Sequence, residues 1–184
     1  MFEELLKRIA AALDAAGIPY MIIGGQAVLL YGEPRLTRDI DLTLGIGPDE
    51  VERMIAILPT LTLSSLTPNP KEFVQETMVL PCQDQKTGIR VDFIFSLTSY
   101  EAEALKRSKL VKMGTIEIRF ASLEDLIIHK VIAGRPRDWE DVERVLAKNP
   151  QADIPFIEKQ LSLFEKSVDR PLLEPLRQFL KKKE

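Results

Sequence analysis

The sequence predicts an α+β fold in which short strands and helices alternate through the first two thirds and only helices follow. Three observations carry this expectation. Apolar residues recur at helical spacing from the start, with Phe2, Leu5, Leu6, Ile9 and Leu13 on one face. Strict alternation of period two appears over residues 39–44 and again over 89–95. Beyond Ser122 the alternation disappears and helical spacing alone remains.

In chain order, the opening amphipathic helix is stopped by Gly17 and Pro19. Tyr20–Ile23 reads as a short buried strand, broken by Gly24 and Gly25, and residues 26–31 read as a helix ending at Gly32. From Asp39 the chain alternates, with Ile40, Leu42 and Leu44 on one face and Asp39, Asp41 and Thr43 on the other. Gly45, Gly47 and Pro48 end that strand, and residues 49–58 form a helix with Val51, Met54, Ile57 and Leu58 inward. Residues 61–66 are expected as a strand, followed by a Pro68-Asn69-Pro70 loop.

Residues 73–80 and 89–95 are expected to pair as strands about a polar turn containing Asp84, Lys86 and Gly88. In the second of them Ile89, Val91, Phe93 and Phe95 share one face, which leaves Arg90 and Asp92 on the other. A helix over 100–106 and short strands near Leu110 and over 116–120 complete this part. Ser122 to Asp125 has capping-box spacing and opens a helix carrying Leu126, Ile127 and Val131, which Gly134 and Pro136 end. Asp138 is expected to cap the next helix, to about residue 147, and amphipathic segments follow over 154–164 and 172–180. The chain is expected to divide into a core with its N-terminal helix, 1–120, and a C-terminal helical region packed on it, 121–184.

Composition limits the function. With 184 residues, 45% hydrophobic and 29% charged, the chain has the balance of an ordinary globular protein. A lone Cys82 excludes an internal disulfide and a cysteine-based zinc cluster, and a lone His129 excludes a multi-histidine site. The net charge of −3 provides no global basic field for nucleic acid. Two local basic runs, Lys106 to Lys112 and Arg177 to Lys183, read as solvated faces. The chain opens Met-Phe-Glu-Glu, with acids where a secretory signal carries basic residues, so a cytoplasmic location without membrane association is expected.

The chemistry concentrates in the acids. On one strand face the Cα atoms of Asp39 and Asp41 lie about 6.5 Å apart, and Asp92 supplies a third carboxylate if its strand pairs alongside. Carboxylates held this close repel one another unless a cation neutralises them, and hard oxygen ligands suit Mg²⁺. Two such ions, about 3.5–4 Å apart, serve phosphoryl and nucleotidyl transfer. Asp-x-Asp alone is also what a half-exposed strand shows to water. Gly24-Gly25, between a strand and a helix N-terminus, lets backbone amides approach a phosphate, or is an ordinary tight turn.

Ile23-Gly24-Gly25, Asp39-Ile40-Asp41-Leu42 and Val91-Asp92-Phe93, in that order, resemble the signature of the nucleotidyltransferase superfamily with the DNA polymerase beta-like fold. The resemblance covers roughly residues 18–148. "GEPRLTRDIDL" and "HKVIAGRPRDWEDVERVL" are similar to the AbiEii-type subgroup of abortive-infection and toxin–antitoxin systems; Lys130, Arg135, Arg137, Asp138 and Asp141 match its helical lysine and Arg-Asp turn. This implies a mixed β-sheet flanked by helices with a helical C-terminal part. It also implies a Mg²⁺-dependent enzyme, holding two ions, that moves a nucleoside monophosphate from an NTP to a hydroxyl acceptor, RNA or protein, and releases pyrophosphate. The setting would be phage defence or a toxin–antitoxin pair, with a cognate antitoxin as partner.

In that picture Asp39, Asp41 and Asp92 hold the metals, and Asp92 also takes the acceptor's proton. Gly24 and Gly25 cradle phosphates, and Arg35 and Thr37 either touch the nucleotide or brace the loop. Lys130, Arg135 and Arg137 offset phosphate charge, with Asp138 in the same nucleotide-binding cluster, or else Arg137 and Asp138 merely pair or cap at a helix–turn–helix joint. His129 and Trp139 are expected to pack rather than react. Two rivals share the resemblance: a non-catalytic binder of nucleotide or partner, and an enzyme for small molecules like the aminoglycoside nucleotidyltransferases. The basic C-terminal end favours RNA over a cationic drug.

Overall fold

A computed structural model describes residues 1–34, 36–96, 98–168 and 170–181. Its strands are β1 (Tyr20–Ile23), β2 (Asp39–Leu44), β3 (Leu63–Ser65), β4 (Val79–Asp84), β5 (Arg90–Phe95), β6 (Lys109–Met113) and β7 (Ile116–Phe120). They form one mixed sheet in the order β3-β4-β5-β2-β1-β7-β6. β2 runs parallel to β5 and β1 to β7, while the remaining neighbours are antiparallel. The helices are α1 (Phe2–Ala15), α2 (Gly24–Tyr31), α3 (Val51–Ile57), α4 (Pro70–Thr77), α5 (Ser99–Lys106), α6 (Leu123–Ala133), α7 (Pro136–Lys148), α8 (Ile154–Val168) and α9 (Leu173–Lys181). The chain forms two compact units, Met1–Ala27 with Arg35–Ser122, and Val28–Pro34 with Leu123–Glu184. Among the described residues no helix is long and apolar enough to cross a membrane.

The first unit is built on the alternation that the sequence carries. Ile22, Ile40, Leu42, Val91 and Phe93 are fully buried on one face of the central strands. α1 buries Leu5, Leu6, Ile9 and Leu13 and packs on β7. On the opposite sheet face, Met21 packs with Ala104 of α5 and Ala121. α5 starts from a full capping box between Thr98 and Glu101. Cys82 is buried in β4, where burial, with the Asp92 charge adding to it, pushes its thiol up to about 12. A buried thiol held this high stays protonated near neutral pH.

One expected strand is corrected. Residues 73–77 belong to α4, and β4 begins only at Val79 and continues through Pro81 to Asp84. Pro70 sits in the first turn of α4, where its fixed φ and missing N–H suit a helix start. Met78, at φ 64°, ends the helix in the left-handed region and turns the chain into the strand. Phe73 and Val74 have strand propensity, but Val74 is the buried residue of this helix, so packing overrides it. The strand expected over 61–66 contracts to Leu63–Ser65, and the helix over 49–58 splits into a 3-10 turn, Pro48–Glu50, and α3.

In the second unit α6 buries Leu123, Leu126, Ile127, Ile128 and Val131, which leaves little polar face. α7 buries Val142 and Val145, α8 buries Ile157 and Leu161, and α9 buries Leu176. Trp139 packs on Phe179 with ring centroids 5.4 Å apart. The cap of α7 is also corrected: Arg135 is the N-cap, and Asp138 lies at the third helical position, accepting from the Arg135 backbone N–H at 3.2 Å.

Candidate active site

Register brings the three acids together. In the parallel pair β2–β5, Asp41 lies opposite Asp92 and Asp39 lies opposite Arg90. Directly paired residues on neighbouring strands point to one face and sit about 4.8 Å apart. Asp39, Asp41 and Asp92 thus occupy one face of the sheet, all half-buried, while Ile40, Leu42, Val91 and Phe93 fix the strands from behind.

Antiparallel pairing sets Ile23, the last residue of β1, opposite Asp41, so Gly24 follows at the acids. Gly24 has φ +62°, and a Cβ there would overlap the Asp41 carboxylate, 2.8 Å from its Cγ and 3.0 Å from its Cβ. Any side chain at Gly24 would fill the space that Asp41 uses. Gly25 is different: it is buried inside the first turn of α2.

Thr37 is buried, and its hydroxyl accepts a hydrogen bond from Gln26 Nε2 at 2.8 Å. This ties the segment before β2 to the start of α2. Arg35 lies outside the described residues. Arg90, which no sequence motif singles out, reaches Asp92: its Nε lies 2.9 Å from both carboxylate oxygens. That hydrogen bond, then attraction to Asp92, Asp39 and Asp41, raises the guanidinium above its ordinary value. Its spacing of two residues from Asp92 was a readable signal.

The donor chemistry fits a divalent cation: three carboxylates on one face, two of them in register, beside a glycine whose missing Cβ gives Asp41 its room. Among the described residues the side chains are not drawn into a metal-holding group of three.

The second unit assembles the other predicted cluster. Lys130, 9% exposed, places Nζ 2.9 Å from Asp138 Oδ1 and 2.8 Å from Asp141 Oδ2, both carboxylates being buried. Arg135, 73% exposed, donates from Nε to Asp138 Oδ2 at 2.7 Å. Burial alone would raise the Asp138 carboxyl, but hydrogen bonds from Arg135 and Lys130 outweigh it and hold the group below its ordinary range. Arg137 is exposed on α7, and His129 is half-buried on α6.

The family described as "Nucleotidyltransferase of unknown function (DUF6036)" matches residues 1–169. No curated protein matches the sequence. Among solved structures, the antibiotic-resistance factor ANT(2'')-Ia aligns with a TM-score of 0.63 at 19% identity, covering 90% of this chain and 91% of its own. An antigenic nucleotidyltransferase-like protein from Paracoccidioides brasiliensis aligns with a TM-score of 0.58 at 14% identity, over 97% of this chain and 91% of that one. The lincosamide antibiotic adenylyltransferase LnuA, in a lincomycin-bound structure, gives 0.54 at 14% identity, over 77% and 94%. At these identities the likeness is one of fold.

Proposed function

Since the chain belongs to this family of nucleotidyltransferases, we propose that it transfers a nucleoside monophosphate from an NTP to a hydroxyl acceptor. The observation that carries the reading is the register of β2 on β5, which sets Asp41 beside Asp92 with Asp39 on the same face. In the reaction an acceptor hydroxyl oxygen bonds to the α-phosphorus, the bond from that phosphorus to the bridging oxygen breaks, and pyrophosphate leaves. Asp39, Asp41 and Asp92 would hold Mg²⁺, which when bound offsets the phosphate charge. Asp92 would also accept the acceptor's proton on a carboxylate oxygen. Backbone at Gly24 and Gly25 would lie against phosphate, and Thr37, held by Gln26, would brace the approach to β2. Lys130 would act through Asp138 and Asp141, fixing the α6–α7 turn that carries Arg135 and Arg137, the two guanidinium groups proposed to offset phosphate charge.

The test is incubation with each labelled NTP and Mg²⁺ against separate pools of RNA, protein and metabolites. Asp39→Asn/Asp41→Asn serves as the control. The wild type is expected to release pyrophosphate and label one pool, and the double variant to fall to background with an unchanged melting temperature. Nucleotide binding without pyrophosphate release would instead identify a non-catalytic binder. The AbiEii-like motif order supports a toxin–antitoxin or phage-defence setting, in which induced wild-type chain arrests bacterial growth and the double variant does not.

A further inference from the structure

The third acid of the site already has a cation. Arg90 and Asp92 are two residues apart on β5 and share a face, and Arg90 is also the register partner of Asp39. Nε engages both oxygens of Asp92 at 2.9 Å, and Asp39 and Asp41 add their attraction. The oxygens that Arg90 occupies are those a divalent cation would use. Both cannot hold them in the same way. The Arg90 side chain is 54% exposed and that of Asp92 is 16% exposed, so the guanidinium can swing into water without uncovering the core.

We propose that Arg90 is a resident counter-cation, a positioning residue that closes on Asp92 while no divalent cation is bound and must release it for the cation to bind. Three carboxylates on one face repel each other, and a fixed guanidinium relieves that repulsion until a stronger cation replaces it. Arg90 therefore weakens metal binding by competition rather than assisting it. This rests on the reading of Asp39, Asp41 and Asp92 as metal ligands.

The experiment is Mn²⁺ binding without nucleotide, read from the electron paramagnetic resonance of the free ion, in wild type, Arg90→Gln, Arg90→Lys and Asp41→Asn chains. Removing one unit charge in direct contact, partly screened by solvent, is expected to tighten Mn²⁺ binding by about tenfold in Arg90→Gln. Arg90→Lys, which keeps the charge but loses the planar guanidinium, should fall between the two. A merely structural Arg90 would give the opposite sign, because a displaced Asp92 binds metal less well. Equal or weaker Mn²⁺ binding in both Arg90 variants, with binding still lost in Asp41→Asn, overturns the Arg90 role and leaves the site standing. Absence of any Asp41-dependent Mn²⁺ binding overturns the functional reading itself. Melting temperatures without the ion check that each chain is folded.

Discussion

A side chain at position 24 and the Asp41 carboxylate would compete for one space, and glycine leaves that space to Asp41. The sequence marks Gly24 and Gly25 alike, but only Gly24 has a positive φ and would push a side chain into Asp41. Periodicity could not separate them, because which glycine faces the acids depends on Ile23 pairing with Asp41. Gly24→Ala is expected to cost about 1–2 kcal/mol from the left-handed backbone alone. It should also displace Asp41, so nucleotidyl transfer falls much further than thermal stability; parallel assay and denaturation curves check this. Arg90 illustrates the reverse case: its spacing to Asp92 was visible, but its place opposite Asp39 was not, since that requires the β2–β5 register.

Where helices end and what their ends hold is set by packing as much as by local composition. Residues 73–77 have strand-like composition yet form the end of α4, because Pro70 starts a helix and Met78 terminates it. At the α6–α7 joint, Lys130 serves two buried carboxylates on the next helix. Lys130→Met is therefore expected to destabilise by about 3–5 kcal/mol, as when one partner of a buried ion pair is removed; urea unfolding reads the loss. The pH dependence follows from Asp138, whose carboxyl is held below its ordinary range in the folded chain. A depressed folded value contributes stability above the unfolded value of about 3.9, and the contribution fades as pH falls through the lower folded value. Without Lys130 the folded value rises, so acid unfolding should move to higher pH in Lys130→Met.

At the scale of the whole molecule, the order of strands decides what is protected and what is brought together. β5, β2 and β1 are central in the sheet, with Phe93, Leu42 and Ile22 fully buried, whereas β3 and β6 are its edges and Leu110 on β6 is 51% exposed. Hydrogen exchange is expected to be slowest in β1, β2 and β5 and faster by orders of magnitude in β3 and β6, a pattern read by mass spectrometry of peptic fragments. The same order takes residues 39–41 and 92, separated by two helices and two strands in the chain, and makes them neighbours on one face. By itself the sequence carried the nucleotidyltransferase resemblance, the α+β class, the central elements and the alternation that sets Asp39 and Asp41 on one strand face. These depend on local period and residue type, which a chain carries without its partners. Only the tertiary structure decided that Gly24 rather than Gly25 meets Asp41, that Arg90 holds Asp92, and that Lys130 belongs to Asp138 and Asp141. Each of these depends on strand register or helix docking, set by packing of the whole core rather than by any one segment.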